Sequence, residues 1–337
     1  MDMHGAFDAL RNRAFERQTL RVLLALAMLL CIAAHLLLPI APLREAHEID
    51  PELANLLLVQ LRLPRTLLVI GYGAALGVSG AALQATFANP LASPDISGAS
   101  SGAALGAVIG GYWLGISQPL ALAACGAAGA LGTLGLLVGL AGRKADTATL
   151  LLAGLAISLA AGAATSLALS LAPSPFAFYD AFDWLMGSFT DRSLSQAAAA
   201  LVPASFATAL LLRRARALDL IGLGEDVAAS LGLRPRRLSL EVIALSAVAV
   251  GACVSVAGAI GFVGLVAPLF ARRISGGHPG KAMIPAAMIG AVLLTLADLA
   301  VRAVPLDRPI PVGVITALFG TPLFIWMVVT MRRRLTA

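Results

Sequence analysis

Few residues in this chain are of a type and spacing that could do chemistry. The histidines, His4, His35, His47 and His278, are scattered, and Cys31, Cys125 and Cys253 show no paired spacing and read as small buried hydrophobes. The sequence has no GxxxxGK[ST] loop to cradle phosphates, no HExxH pair and no Cys/His cluster. It therefore predicts no catalytic residue, no metal ligand and no cofactor bound by the chain itself. What remains are charged residues at the ends of apolar runs. Arg62 and Arg65 flank Leu-Pro at the start of one run, and Arg302 lies near the end of another. A guanidinium fork matches a carboxylate, so these arginines could hold an acidic surface. Anchoring to lipid headgroups is the simpler alternative. Asp298 is the one acid that reads well inside an apolar run. Arg302 lies four residues on, so a helix would pair the two. An ion-coupled carrier needs acidic groups near mid-membrane, and a paired Asp298 leaves it without them. His35 reads as a packed or interface histidine.

A second charged cluster lies at 213–237, with Arg213, Arg214, Arg216, Arg234, Arg236 and Arg237. Within it, LGEDVAASLGLRP opens on Gly224-Glu225-Asp226, acids that suit a helix N-terminus. It closes on Gly232 and Pro235, which stop a helix. A short amphipathic helix outside the membrane calls for a partner there; a plain connecting loop is the alternative.

The elements that position these residues are apolar helices. Of 337 residues, 59% are hydrophobic and 12% charged, against about 25% charged in soluble domains. Mean hydropathy is +0.90. The expectation is an all-α polytopic membrane protein with about ten transmembrane helices, near 22–40, 66–86, 98–113, 118–140, 149–171, 194–212, 239–257, 259–271, 283–303 and 311–330. The first could be mistaken for a signal peptide, but its length suits a span. Residues 1–21 form a polar tail, 22–330 a single transmembrane domain and 331–337 a second tail. A loop with a short surface helix is expected at 41–61. Pro173, Pro175 and the aromatics Phe176, Phe178, Tyr179, Phe182 and Trp184 suit a membrane boundary.

The net charge of +6 rests on 22 arginines and 2 lysines. With ten spans both termini share a side. The two tails and the loops at 141–148, 213–237 and 272–281 then carry 18 of the 24 cations. The positive-inside rule makes that side cytoplasmic and accounts for the basic balance without nucleic acid. An inverted internal repeat, spans 2–5 and 7–10, is also expected. GAALGVSGA at 73–81 aligns with GACVSVAGA at 251–259, and the same offset of 178 lays Pro90 on Pro268.

RLPRTL at 62–67, SGAALQATFANPLASPDISGASSGAALG at 79–106, WLMGSF at 184–189, GEDVAASLGL at 224–233, GAIGFVGLVAPLFAR at 258–272 and PVGVITALFGTPLFIWMV at 311–328 together resemble the FecCD/BtuC-type permease subunits of ABC importers for iron-siderophores, haem and vitamin B12. The resemblance runs from about residue 20 to the C-terminus. It implies a homodimer in the bacterial inner membrane, both termini cytoplasmic. Two ATP-binding subunits, which carry the ATP and Mg, and a periplasmic substrate-binding protein would be its partners. It implies that Arg62, Arg65 and Arg302 dock glutamates of the binding protein. Gly224, Glu225, Ala228, Ser230, Leu231 and Gly232 would form the helix that couples to the ATPase. Leu83, Gln84, Asn89, Pro90, Asp146, Thr147 and Thr149 would lie near the translocation path or its gate. The chain departs from the pattern at Ala229, where relatives often have a basic residue, and at Leu269, where they commonly have His. The rival reading from another class is an ion-coupled secondary transporter built on the inverted repeat.

Overall fold

The computed structural model describes residues 3–95, 98–141, 147–171, 184–303 and 310–335. Helix α1 spans Met3–Leu37, α2 Ile40–Ile49 and α3 Pro51–Leu56; a π-helical turn, Leu57–Arg62, leads into α4, Leu63–Thr86. Next come α5, Ala99–Val108, with a second π-helical turn, Ile109–Trp113, then α6, Pro119–Ala141, and α7, Thr147–Ser170. The rest is α8, Leu194–Arg213; α9, Ala215–Ile221; α10, Glu225–Ser230; α11, Pro235–Ala257; α12, Val263–Ile274; α13, Pro279–Ala303; and α14, Val312–Leu335. There is no strand among the described residues. Among the described residues a helix stands at each of the ten expected positions, and seven stretches are long and apolar enough to cross a membrane.

Helix α4 is the axis of the bundle, packed against α13, α8, α11 and α12. Lipid tails are as apolar as leucine, so small residues and close backbones hold such helices together. The sequence supplies them. A Cβ on Gly73 would stand 2.5 Å from the Gly290 carbonyl oxygen, and one on Gly77 would collide with the Ala286 carbonyl. Gly80 lies against the Gly264 carbonyl in the same way. Around this seam sit Leu68, Tyr72, Leu76, Leu83, Met283 and Leu294, all buried. The periphery is different in kind. About 78% of the most apolar window of 51–86 is buried, against 6% of that of α1.

Three expectations need correction. The second span does not begin near Thr66: 51–86 is one helical stretch. Pro64 cannot donate to a carbonyl one turn back, and the wide turn at Leu57–Arg62 absorbs the defect, with the Leu63 amide reaching Leu58. The helix α1 begins at Met3, well inside the expected polar tail, because 6–21 contains no glycine or proline. Finally, the fixed offset of 178 joins positions that are not equivalent. Pro90 lies in the turn after α4, whereas Pro268 lies inside α12. What recurs is an order of lengths. The helices α4 to α7 have 24, 10, 23 and 24 residues, and α11 to α14 have 23, 12, 25 and 24. The connections 87–98 and 258–262 differ in length and shift the register between them.

Candidate functional sites at the two ends of the bundle

The three arginines singled out by their spacing converge on the C-terminal end of α1. Arg65 forms a two-pronged pair with Asp298, Nε to Oδ2 at 2.8 Å and a terminal nitrogen to Oδ1 at 2.9 Å. His35 completes the cluster. Its Nε2 donates to Asp298 Oδ2 at 2.8 Å, and its Nδ1 lies 2.7 Å from Thr66 Oγ1. The Thr66 hydroxyl is also bonded to the Arg62 carbonyl at 2.7 Å. His35 and Asp298 are both fully buried. The Asp298–Arg302 pair expected from helical spacing does not form. Asp298 faces inward, where Arg65 and His35 reach it, and Arg302 turns to α1 instead.

Arg302 donates to the carbonyls of His35, at 2.8 Å, and Leu38. Arg62 donates to those of Leu36, Leu37 and Pro39 at 2.9, 2.8 and 2.7 Å. The last carbonyls of a helix lack intrahelical partners and carry its negative dipole end. Two guanidinium groups satisfy them here. The exposed α1 is therefore fixed by its polar end, through His35 from inside and two arginines from outside.

In the middle of the bundle two non-helical connections meet. A Cβ on Gly264 would lie 3.1 Å from Pro94 Cδ, and one on Gly261 would lie 3.7 Å from Asp95 Oδ2. The Tyr72 hydroxyl donates to the Gly258 carbonyl at 3.1 Å, and the Ser158 hydroxyl to the Asp95 carbonyl at 3.0 Å. Asp95 was missed in the sequence because it stands in a break rather than in a span; the signal was the Pro94-Asp95 step itself. Of the residues expected near the path, Leu83 and Gln84 are buried within this chain, the Gln84 amide donating to the Leu265 carbonyl at 3.1 Å. Asn89 accepts from the Leu91 amide at 2.8 Å and shapes the turn that carries Pro90; both are partly exposed. Thr147 opens α7 and Thr149 is exposed. Asp146 lies outside the described residues, as do Phe176, Phe178, Tyr179 and Phe182.

The basic loop has the expected short helix, α10, and a companion, α9. Gly224 and Gly232 bound α10 with φ of 110° and 83°, which side chains with a Cβ rarely adopt. Ala228 is fully buried and fixes one face to the body. On the other side Leu223, Val227 and Leu231 are 63%, 46% and 59% exposed, with Glu225, Asp226 and Ser230 beside them. The loop is tied to α13 through Asp219, whose carboxylate accepts from the Gly280 amide at 2.8 Å. Arg213, Arg216, Arg234 and Arg236 are exposed and, among the described residues, join no ion pair.

Comparison with known proteins bears on the family and the fold. Residues 21–330 match the FecCD transport family. The chain belongs to that family. It is 36% identical over 328 residues to the vitamin B12 import system permease protein BtuC of Escherichia coli O9:H4, covering 95% of this chain and 98% of the relative. It is also 36% identical over 293 residues to the Fe(3+) dicitrate transport system permease protein FecC of Escherichia coli K12, covering 84% and 85%. A solved structure, described as an inward-facing conformation of a metal-chelate type ABC transporter, superposes with a TM-score of 0.80 at 29% identity. It covers 93% of this chain, and this chain covers 99% of it. As a FecCD-family permease the chain is a multi-pass membrane protein.

Proposed function

We propose that this chain is the transmembrane permease subunit of an ATP-binding-cassette importer for a metal chelate, an iron-siderophore, haem or cobalamin complex. The observation that carries the reading is likeness along the whole chain to permeases of this class, in sequence and in fold. The permease works as a homodimer in the bacterial inner membrane, with both termini and the basic loop on the cytoplasmic side. Two ATP-binding subunits, holding ATP and Mg, seat against α10 through Leu223, Val227 and Leu231. A periplasmic binding protein delivers the chelate at the end that carries Arg62, Arg65 and Arg302. ATP binding biases rocking of the two copies only through contacts that differ between their states. The chain itself is a transport subunit, not an enzyme.

The test is purification from the native membrane in mild detergent, with mass spectrometry of what stays bound. A stoichiometric subunit with a phosphate-binding loop is the expected companion, and vesicle uptake should require ATP. A permease that comes out alone, with uptake driven by a proton or sodium gradient, would overturn the reading in favour of a secondary carrier.

A further inference from the structure

A cavity of about 420 Å³ opens between the end of α5, the start of α6, the start of α8 and the end of α11, with Tyr112, Leu122, Trp184, Arg192, Gln196 and Val256 among its walls. Its volume lies within the range of small-molecule sites. It sits at the same end of the bundle as Arg62. The helices α4 and α8 run side by side in one direction, Gly71 level with Leu201 and Ala75 with Ala207.

Every other arginine at this end that the structure describes in the membrane body has partners. Among the described residues Arg192 joins no ion pair, although Asp191 is its neighbour in sequence, and its Nε is buried without a hydrogen bond. Asp191 is exposed and takes the left-handed backbone conformation, φ 55°. Its carboxylate forms no ion pair with Arg192 among the described residues. Burial pulls the Arg192 guanidinium below its usual pKa, the Asp191 carboxylate opposing. An unpaired cation taken partly out of water is costly unless something compensates it. The walls beside it combine aromatic and aliphatic side chains with the neutral polar Ser117, Gln196 and Ser255, and the Trp184 indole nitrogen is already committed to the Val256 carbonyl at 3.2 Å. The cavity therefore offers one positive charge among apolar and neutral polar groups. The π-helical turn Ile109–Trp113 leaves room for an occupant: a Cβ built on Gly111 meets nothing nearer than 3.7 Å.

We propose that this cavity is a binding site for an anionic group, a phosphate or carboxylate, carried on an apolar body, with Arg192 as its counter-ion. A phospholipid headgroup and a soluble carboxylate are the two sources of that chemistry. The test uses the full chain in phosphatidylcholine nanodiscs, with Trp113→Phe and Trp326→Phe leaving Trp184 as the reporter. Phosphatidylglycerol is varied in the disc in one series and citrate is titrated in the other. At least one of the two should shift Trp184 emission saturably, and Arg192→Gln should weaken that response tenfold or more, with Arg192→Lys retaining part of it. A response to phosphatidylglycerol alone assigns the anion to lipid; a response to citrate alone assigns it to a soluble carboxylate. Gly111→Leu, which fills the cavity and leaves the arginine in place, should abolish the response and covers the case in which Arg192→Gln fails to fold. No response to either anion, or equal responses from the parent and both cavity variants, would overturn the proposal.

Discussion

Two regions of this bundle, the end of α1 and the surface around α10, treat charge in opposite ways. Around the end of α1, Arg62, Arg65, His35, Asp298 and Arg302 all find partners within the chain, and the two residues at the centre are fully buried. Around α10, four arginines stand exposed and unpaired, and three large apolar side chains point outward beside two acids. Sequence gives both regions the same description, arginines flanking apolar runs. The difference teaches that a charge satisfied inside its own chain reports on folding, whereas an unsatisfied cluster beside exposed apolar residues reports on a partner. Mutations around Asp298 should act first on stability, and mutations on the surface of α10 first on the assembly proposed above.

The sharpest way to break that contrast is Asp298→Ala. It strands the Arg65 guanidinium, 17% exposed, and a buried His35. Removing one member of a buried ion pair costs about 3–5 kcal/mol. The unfolding midpoint in detergent should fall steeply, and an unchanged midpoint would refute the structural role. Next in size is Gly77→Val at the centre of the seam. The added carbon meets the backbone of α13, so α4 and α13 must part; overpacking of this kind costs about 1–3 kcal/mol or more. A thermal melt reads it, and wild-type stability would mean that the helices do not touch there.

Third comes His35→Ala, which deletes hydrogen bonds to Asp298 and Thr66. Leaving buried polar partners unmade costs about 1–3 kcal/mol. Protease cleavage near 38–50 should rise as the end of α1 loosens, while cleavage within the basic loop stays constant. The smallest expected effect on stability is Leu231→Glu, within about 0.5 kcal/mol, as for exposed sites in general. Yet this change should strip the ATP-binding subunits during purification. A Leu231→Glu permease that melts early and keeps its companions would erase the distinction between the ends.

Apolar runs, with the glycine, proline and charged breaks between them, marked the ten expected spans, because a membrane core tolerates little else and the charges must gather at the ends. The bounds of α10 were legible for a local reason: Gly224 and Gly232 are needed where the backbone turns left-handed. Asp298 was misassigned because helical spacing speaks only of neighbours on one helix. Its partners come from α4 and α1, 233 and 263 residues away in sequence. The repeat was legible as an alternation of long and short helices but not in register, since glycine and alanine are so common that a false offset still matches. The cavity beside Arg192 left no trace in the sequence, where that arginine looks like any other cation at a helix start.

The capping of α1 by Arg62 and Arg302 has a consequence for traffic at that end. An acidic surface that approaches these guanidinium groups does not meet free cations. It must trade places with main-chain carbonyls, so each new bond is formed at the loss of an old one. The bonds given up already have an ionised donor and so are charge-assisted themselves; only the difference between old and new bonds is gained. Contacts made by exchange hold weakly for their number and come apart easily. Under the function proposed above, that suits a binding protein that must arrive, hand over its load and leave again within every turn of the cycle.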